Sequence, residues 1–260
     1  MINGFIAVLL ITPLFGLLST MVVSNRMAFF SDSLGHGAFS GIAIGTLLGS
    51  TSPMFSLIIF SIIFALLITY IKNRTRTGAD TVIGVFSSTA IALGLMIMSS
   101  GGSFNKFSTY LIGDLLSISK SELISLAIVF GVVIFIWSIL FNQLLVLSIN
   151  QSFAKSRGIS TFKVESIFAS TLAVIVAISI QWVGILIINA MLVLPAAAAR
   201  NITHDVKRYH FVSVSFALFS GLVGLVTAYH LNTAAGATIV VISSIIYFIT
   251  LALRSKLFKG

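Results

Sequence analysis

Hydrophobic residues in this chain form long runs, and polar residues gather in the short segments between them. A helix needs about 20 apolar residues to cross a bilayer. The runs predict an all-α, polytopic membrane protein, a single transmembrane domain over residues 1–260. We expect nine helical spans, at about residues 2–24, 27–49, 53–71, 81–99, 121–141, 164–182, 184–199, 209–229 and 236–253.

Two segments need separate interpretation. The apolar run from Val164 to Ala199 is too long for one crossing, so we expect a break near Gln181–Gly184. Residues 110–116 form a short amphipathic stretch, too short to cross, which we place at a membrane interface.

Composition narrows the class of protein. The chain is 58% hydrophobic and 8% charged, and its mean hydropathy is +1.14. These values exclude an ordinary soluble domain. The chain contains no cysteine, which excludes disulfides and thiolate metal ligands.

The net charge of +9 reports membrane topology. Basic residues concentrate on the cytosolic side of membrane proteins. An outside N-terminus and a cytosolic C-terminus place 13 of the 15 Lys and Arg residues inside, leaving Lys106 and Lys120 outside. Since the charge lies in short loops between spans, a nucleic-acid partner is not expected.

The second span is unusual because it carries Asp32 and His36. In a helix, residues four apart lie on one face, one turn from each other. Ionisable residues inside a membrane are costly and usually face a cavity, a partner or a transport path. One carboxylate and one imidazole suit a divalent transition metal. An Asp–His hydrogen bond that only satisfies two buried polar groups is the alternative.

Small residues crowd the same span, including Gly35, Gly37 and Gly41. Small residues let transmembrane helices approach closely, so we expect these glycines to pack the helix against its neighbours. A local backbone break around His36, which would aim carbonyl groups into a cavity, is the other interpretation.

The loop over residues 150–163 is polar and basic, and we expect a short helix in it that ends at Gly158. Such a helix is either a solvated connector or a surface that docks into a soluble partner. The chain has no GxxxxGK[ST] phosphate loop, so we expect that it does not hydrolyse ATP itself, and no HExxH motif, so a zinc protease of that kind is not supported. An enzyme is not expected because no catalytic constellation is visible.

Several motifs resemble one family, the permease subunits of bacterial zinc and manganese ABC importers. Ser31-Asp32-Ser-Leu-Gly-His36 is similar to that family's Ser-Asp-Ala-Leu-Ser-His signature. Further similar segments follow in the family's order, at residues 80–87, 111–116, 153–158 and 181–200. The chain departs from the family pattern at Gly35, Gly37 and Ala79, where Ser, Ala and an acidic residue are usual.

The resemblance implies a homodimeric permease with the architecture of the cobalamin importers (type II), in the bacterial plasma membrane. Its implied partners are a cytosolic ABC ATPase dimer and an extracytoplasmic metal-binding protein. It implies that Asp32 and His36 are pore ligands for a transported Zn²⁺ or Mn²⁺, with iron third and no permanently bound cofactor. It also implies a coupling loop that includes Phe153, Ala154, Lys155, Arg157 and Gly158.

Two other functions remain open. The first is an ion-coupled secondary transporter that uses Asp32 as its proton or sodium carrier. The second is an ABC permease for a metal chelate such as a siderophore or cobalamin. Dependence on ATP distinguishes the first from a metal importer, and growth rescue by free metal salts against the chelate distinguishes the second.

Overall fold

The computed structural model describes residues 2–49, 53–75, 77–100, 113 and 118–257, and these residues form helices without any strand. The predicted amphipathic segment 110–116 lies outside this range, except for Gly113. The ten described helices are α1 (Ile2–Ser24), α2 (Ala28–Leu47), α3 (Pro53–Arg74), α4 (Ala79–Ser100), α5 (Lys120–Ile149), α6 (Gln151–Ser156), α7 (Thr161–Val183), α8 (Ile185–Arg200), α9 (Val206–Leu231) and α10 (Ala235–Leu257).

Seven of the described helices are long and apolar enough to cross a membrane, namely α1, α3, α4, α5, α7, α9 and α10. The prediction of nine crossings is therefore not supported. Helix α2 falls short because Asp32, His36 and its many small residues lower its hydropathy. Helix α8 has only 16 residues. At 1.5 Å per residue it is about 24 Å long, against about 30 Å for the hydrocarbon core.

The break predicted near Gln181–Gly184 is confirmed. Helix α7 ends at Val183, and Gly184 has φ 88° and ψ 150° before α8 begins at Ile185. Residues with a Cβ rarely adopt this backbone conformation, so glycine is the residue that allows the chain to turn here. A Cβ added at Gly236 would lie 2.9 Å from the Val183 carbonyl oxygen, so α10 begins directly against this turn.

The described residues fall into two compact units. The first comprises those within Met1–Ala28, Ile112–Ile134 and Trp182–Gly260, and it contains α1, α8, α9, α10 and the start of α5. Helices α1 and α9 approach closely at Gly16, where an added Cβ would lie 2.9 Å from the Val214 Cα atom. The Ser213 hydroxyl donates to the Gly16 carbonyl oxygen at 2.6 Å. Neutral hydroxyls and small residues therefore hold this seam.

The second unit comprises the described residues within Phe29–Leu111 and Phe135–Gln181. It contains α3, α4, α6, most of α2 and α7, and the second half of α5. Helices α2 and α4 meet where the Ser40 hydroxyl donates to the Ala90 carbonyl oxygen. A Cβ at Gly94 would lie 3.0 Å from the Phe39 carbonyl carbon, so no larger residue fits there without movement. The assignment of residues 1–260 to a single domain stays a prediction.

Candidate functional site

Helix α2 is buried along most of its length and keeps one accessible stripe. Between Phe29 and Ala43, the only positions that are not buried are Phe29, Asp32, His36 and Phe39. These positions are three or four residues apart, so they lie on one face of the helix. Both ionisable residues of α2 therefore lie on its accessible face.

The two ionisable side chains are adjacent but incompletely enclosed. Nε2 of His36 lies 3.5 Å from Oδ2 of Asp32, and the side chains are 30% and 43% exposed, respectively. This distance is longer than an ordinary N–H···O hydrogen bond. A carboxylate oxygen and an imidazole nitrogen that remain accessible can both reach a third atom. The two groups are therefore adjacent without being fully buried.

The glycines of α2 lie where α3 approaches. A Cβ at Gly37 would lie 2.9 Å from Cε1 of Phe64, and one at Gly41 would lie 3.2 Å from the Leu57 Cα atom. Gly35 is also buried. The helix is continuous from Ala28 to Leu47, so it has no local break around His36.

A cavity of about 320 Å³ adjoins this packing. Its walls come from α3 and α4 and are almost entirely apolar. Its lining residues are Phe60, Phe64, Val85, Phe86, Thr89, Ala90 and Leu93. Because the Phe64 ring both contacts Gly37 and lines the cavity, it has space to move away from α2.

The predicted short helix in the loop 150–163 is present as α6. The Asn150 side chain caps it by accepting hydrogen bonds from the backbone N–H groups of Ser152 and Phe153 at 2.8 and 3.1 Å. Gly158 follows with φ 75°, a conformation that favours glycine and ends the helix.

Nearly all of α6 is open to a partner. Ala154 is fully buried, while the other residues of Gln151–Ser156 are exposed. The Arg157 guanidinium lies 5.1 Å from the centre of the Phe153 ring. Lys155 and Gly158 are exposed beside them. The exposed surface thus combines an aromatic ring with positive charge.

The remaining titratable residues do not build a second site. Within the described part of the chain, no group of three or more His, Cys, Asp and Glu residues is placed to hold a metal ion. One copy of the protein therefore offers the Asp32–His36 pair and no fuller ligand set among those residues. Asp114 lies outside the described range.

Glu165, which belongs to none of the motifs described above, is only 5% exposed near the start of α7. Its carboxylate lies 2.9 Å from the Lys72 ammonium nitrogen. The available signal was its position at the edge of an apolar run in a chain with only six acidic residues.

Residues 1–254, nearly the whole chain, match the ABC 3 transport family. The chain belongs to this family. It is 30% identical over 249 residues to the high-affinity zinc uptake system membrane protein ZnuB of Buchnera aphidicola, a match that covers 95% of each chain. It is 27% identical over 241 residues to the manganese transport system membrane protein MntC of Listeria innocua, covering 93% of this chain and 86% of that one.

The fold of this ABC 3 transport family member resembles that of a solved relative. The structure of PsaBC from Streptococcus pneumoniae in complex with Fab matches with a TM-score of 0.83 and 27% identity. The match covers 95% of this chain and 89% of that one. With seven apolar, membrane-length helices among its described residues, the protein is a multi-pass protein of the plasma membrane, and the family predicted from its motifs is confirmed.

Proposed function

We propose that this protein is the permease subunit of an ATP-driven importer of divalent transition metal, with zinc favoured, manganese second and iron third. The Asp32–His36 pair on the accessible face of α2 carries the proposal. Carboxylate oxygen and imidazole nitrogen are ligands that all three metals accept. The relatives named for zinc uptake and manganese transport support the same cargo.

The metal site is completed by a second copy of the chain in this proposal. A tetrahedral site takes four ligands, whereas one copy offers two. A symmetric dimer repeats the same surface from both subunits, so two copies supply two carboxylates and two imidazoles. The Asp32 and His36 side chains face the dimer axis, in the arrangement of the cobalamin-type importers. The metal is cargo, so the site binds it and also releases it.

The exposed surface of α6 docks the ATPase chains. Since the sequence has no phosphate-binding loop, ATP is hydrolysed on a separate pair of subunits. Phe153 offers an apolar contact, and Lys155 and Arg157 offer charge. An extracytoplasmic metal-binding protein delivers the cargo from the other side. The N-terminus lies outside and the C-terminus in the cytosol, and single cysteines introduced into this cysteine-free chain test that orientation by labelling from each side.

The decisive experiment replaces the two proposed ligands. Asp32→Ala and His36→Ala are each expected to abolish metal accumulation in cells that lack the native permease, measured as cellular zinc and manganese. Thr46→Ala, at an exposed position near the end of α2, is the matched control and is expected to keep uptake. Membrane levels of all variants are measured in parallel.

Three results would contradict the proposal. Normal accumulation of zinc, manganese and iron in both ligand variants would remove Asp32 and His36 from the transport path. Uptake that continues without ATP but follows an ion gradient would support a secondary transporter. Rescue of growth by a metal chelate but not by free metal salts would make the chelate the cargo.

A further inference from the structure

The buried carboxylate of Glu165 joins three helices. Its Oε2 atom accepts from the Lys72 ammonium at 2.9 Å and from the Asn73 side-chain amide at 2.9 Å, both at the end of α3. Its Oε1 atom accepts from the Gln151 amide at 3.4 Å, at the first residue of α6. The Glu165 carboxylate, at the start of α7, thereby links α6 to the end of the apolar helix α3.

The contacts of the Glu165 carboxylate constrain the positions of its partner side chains. A buried carboxylate is costly unless it is paired and hydrogen-bonded, so Glu165 holds its partners in place. The Asn73 amide also donates to the Thr69 carbonyl oxygen at 2.9 Å, which fixes its orientation on α3. Next to it, the rings of Tyr70 and Phe162 meet edge to face with centroids 6.3 Å apart. The end of α3 and the start of α7 are therefore held together by both charge and ring contact.

The same helix α3 reaches the candidate metal helix. Lys72 and Phe64 lie eight residues apart on α3, a distance of about 12 Å along the helix axis. The Phe64 ring lies directly against Gly37, the residue after His36. Contacts therefore run from α6 through Glu165 to the end of α3, and α3 packs against the buried face of α2 at Gly37. All of these residues belong to one compact unit.

We infer that Glu165 is a positioning residue that transmits movement of α6 to the Asp32–His36 helix through α3. The inference rests on the proposed function, in which the ATPase acts on α6. Displacement of α6 pulls on the carboxylate through Gln151, and the carboxylate carries α3 with it through Lys72 and Asn73. Phe64 then changes its contact with Gly37.

The first test measures this transmission without reference to the cargo. The chain lacks cysteine, so a spin label at Thr46→Cys, an exposed position on α2, reports movement of that helix. The permease is labelled before it is assembled with its ATPase, and spectra are compared with and without ATP. We expect the ATP-dependent change of the parent protein to be lost in Glu165→Gln. Lys163→Met, an exposed lysine two residues away, is the matched control and is expected to keep it.

The second test measures transport per ATP hydrolysed in the reconstituted complex. Gln151→Ala removes the α6 contact to Glu165 at an exposed position, so the fold is expected to stay intact, and the amount of bound ATPase is measured separately for each variant. We expect metal uptake per ATP to fall about tenfold, a usual size for coupling between sites. Lys163→Met, an exposed residue outside α6, is the control and is expected to keep the wild-type ratio. If Glu165→Gln fails to assemble, Gln151→Ala alone decides.

Two results would overturn the inference. One is an α2 label that responds to ATP equally in the parent and in Glu165→Gln, or that does not respond in the parent at all. The other is an unchanged ratio of uptake to hydrolysis in Gln151→Ala. Failure of the proposed function has a different signature, because the parent complex would then show the ATP-dependent label change without taking up metal.

Discussion

Glycine allows close packing both between α1 and α9 in the first unit and between α2 and α3 in the second, but the atoms that face the glycine differ. At Gly16 the facing atoms include backbone atoms of α9, whereas at Gly37 the facing atoms belong to the Phe64 ring. Backbone moves only if a helix moves, while a ring can turn into the adjoining cavity. The second unit also contains the charged junction at Glu165. The α1–α9 seam is therefore suited to hold a fixed shape, whereas the α2–α3 seam can yield at Gly37 but not at Gly41, which faces the Leu57 Cα atom.

The largest effect is expected from breaking the charged junction. Lys72→Met leaves the Glu165 carboxylate, whose side chain is 7% exposed, without its counter-charge. Removing one partner of a buried pair typically costs about 3–5 kcal/mol, and we expect the lower end of that range because the Lys72 side chain is itself 24% exposed. Unfolding of the purified permease in detergent measures the loss. The double variant Lys72→Met/Glu165→Gln is expected to recover most of it, and a fully stable single variant would show that the pair carries little charge interaction.

A smaller effect is expected at the fixed seam. A Cβ at Gly16 would lie 2.8 Å from the Ala217 Cβ atom and 2.9 Å from the Val214 Cα atom, so α1 and α9 have to separate. Overpacking of this kind costs up to about 3 kcal/mol, and the helical Gly→Ala change returns about 1 kcal/mol, so we expect a net loss of about 2 kcal/mol. Gly131→Ala, in the same unit, has no atom within 4 Å of the added carbon and serves as the control. A Gly16→Ala protein with an unchanged melting temperature would show that α1 and α9 can separate without loss of stability.

The smallest effect on stability is expected at Gly37→Ala. Tilting the Phe64 ring into the cavity costs about 1 kcal/mol. Replacing a helical glycine by alanine returns about 1 kcal/mol, so the melting temperature is expected to stay nearly constant. Metal uptake, measured on the same protein, is expected to fall because the packing of α3 against α2 changes at Gly37, the residue after His36. A loss of stability as large as that of Gly16→Ala would remove the distinction between the two seams.

The positions of the helices follow from the sequence because long apolar runs carry the signal locally. The first span was predicted at 2–24 and forms Ile2–Ser24, and the break before α8 was found from run length alone. Membrane crossing is harder to predict. Helix α2 is long enough to cross a membrane, but Asp32 and His36 lower its hydropathy. Its length therefore favours a crossing, whereas its hydropathy does not.

The Asp32–His36 pair was predictable because its two residues are one helical turn apart. Its role as a metal site stays a prediction. The Glu165 junction was not predictable, since Asn73 and Glu165 are 92 positions apart and only the folded chain brings them together. Likewise, small residues predict close packing but not which atoms they face. That difference separates Gly16 from Gly37.

The proposal that each copy carries two of the four metal ligands has a genetic consequence. If two copies complete the site as proposed, a cell that makes normal and ligand-deficient versions in equal amounts assembles about a quarter of its dimers from normal copies alone by random pairing. The altered allele would then be partly dominant, although it encodes a protein that only lacks an activity.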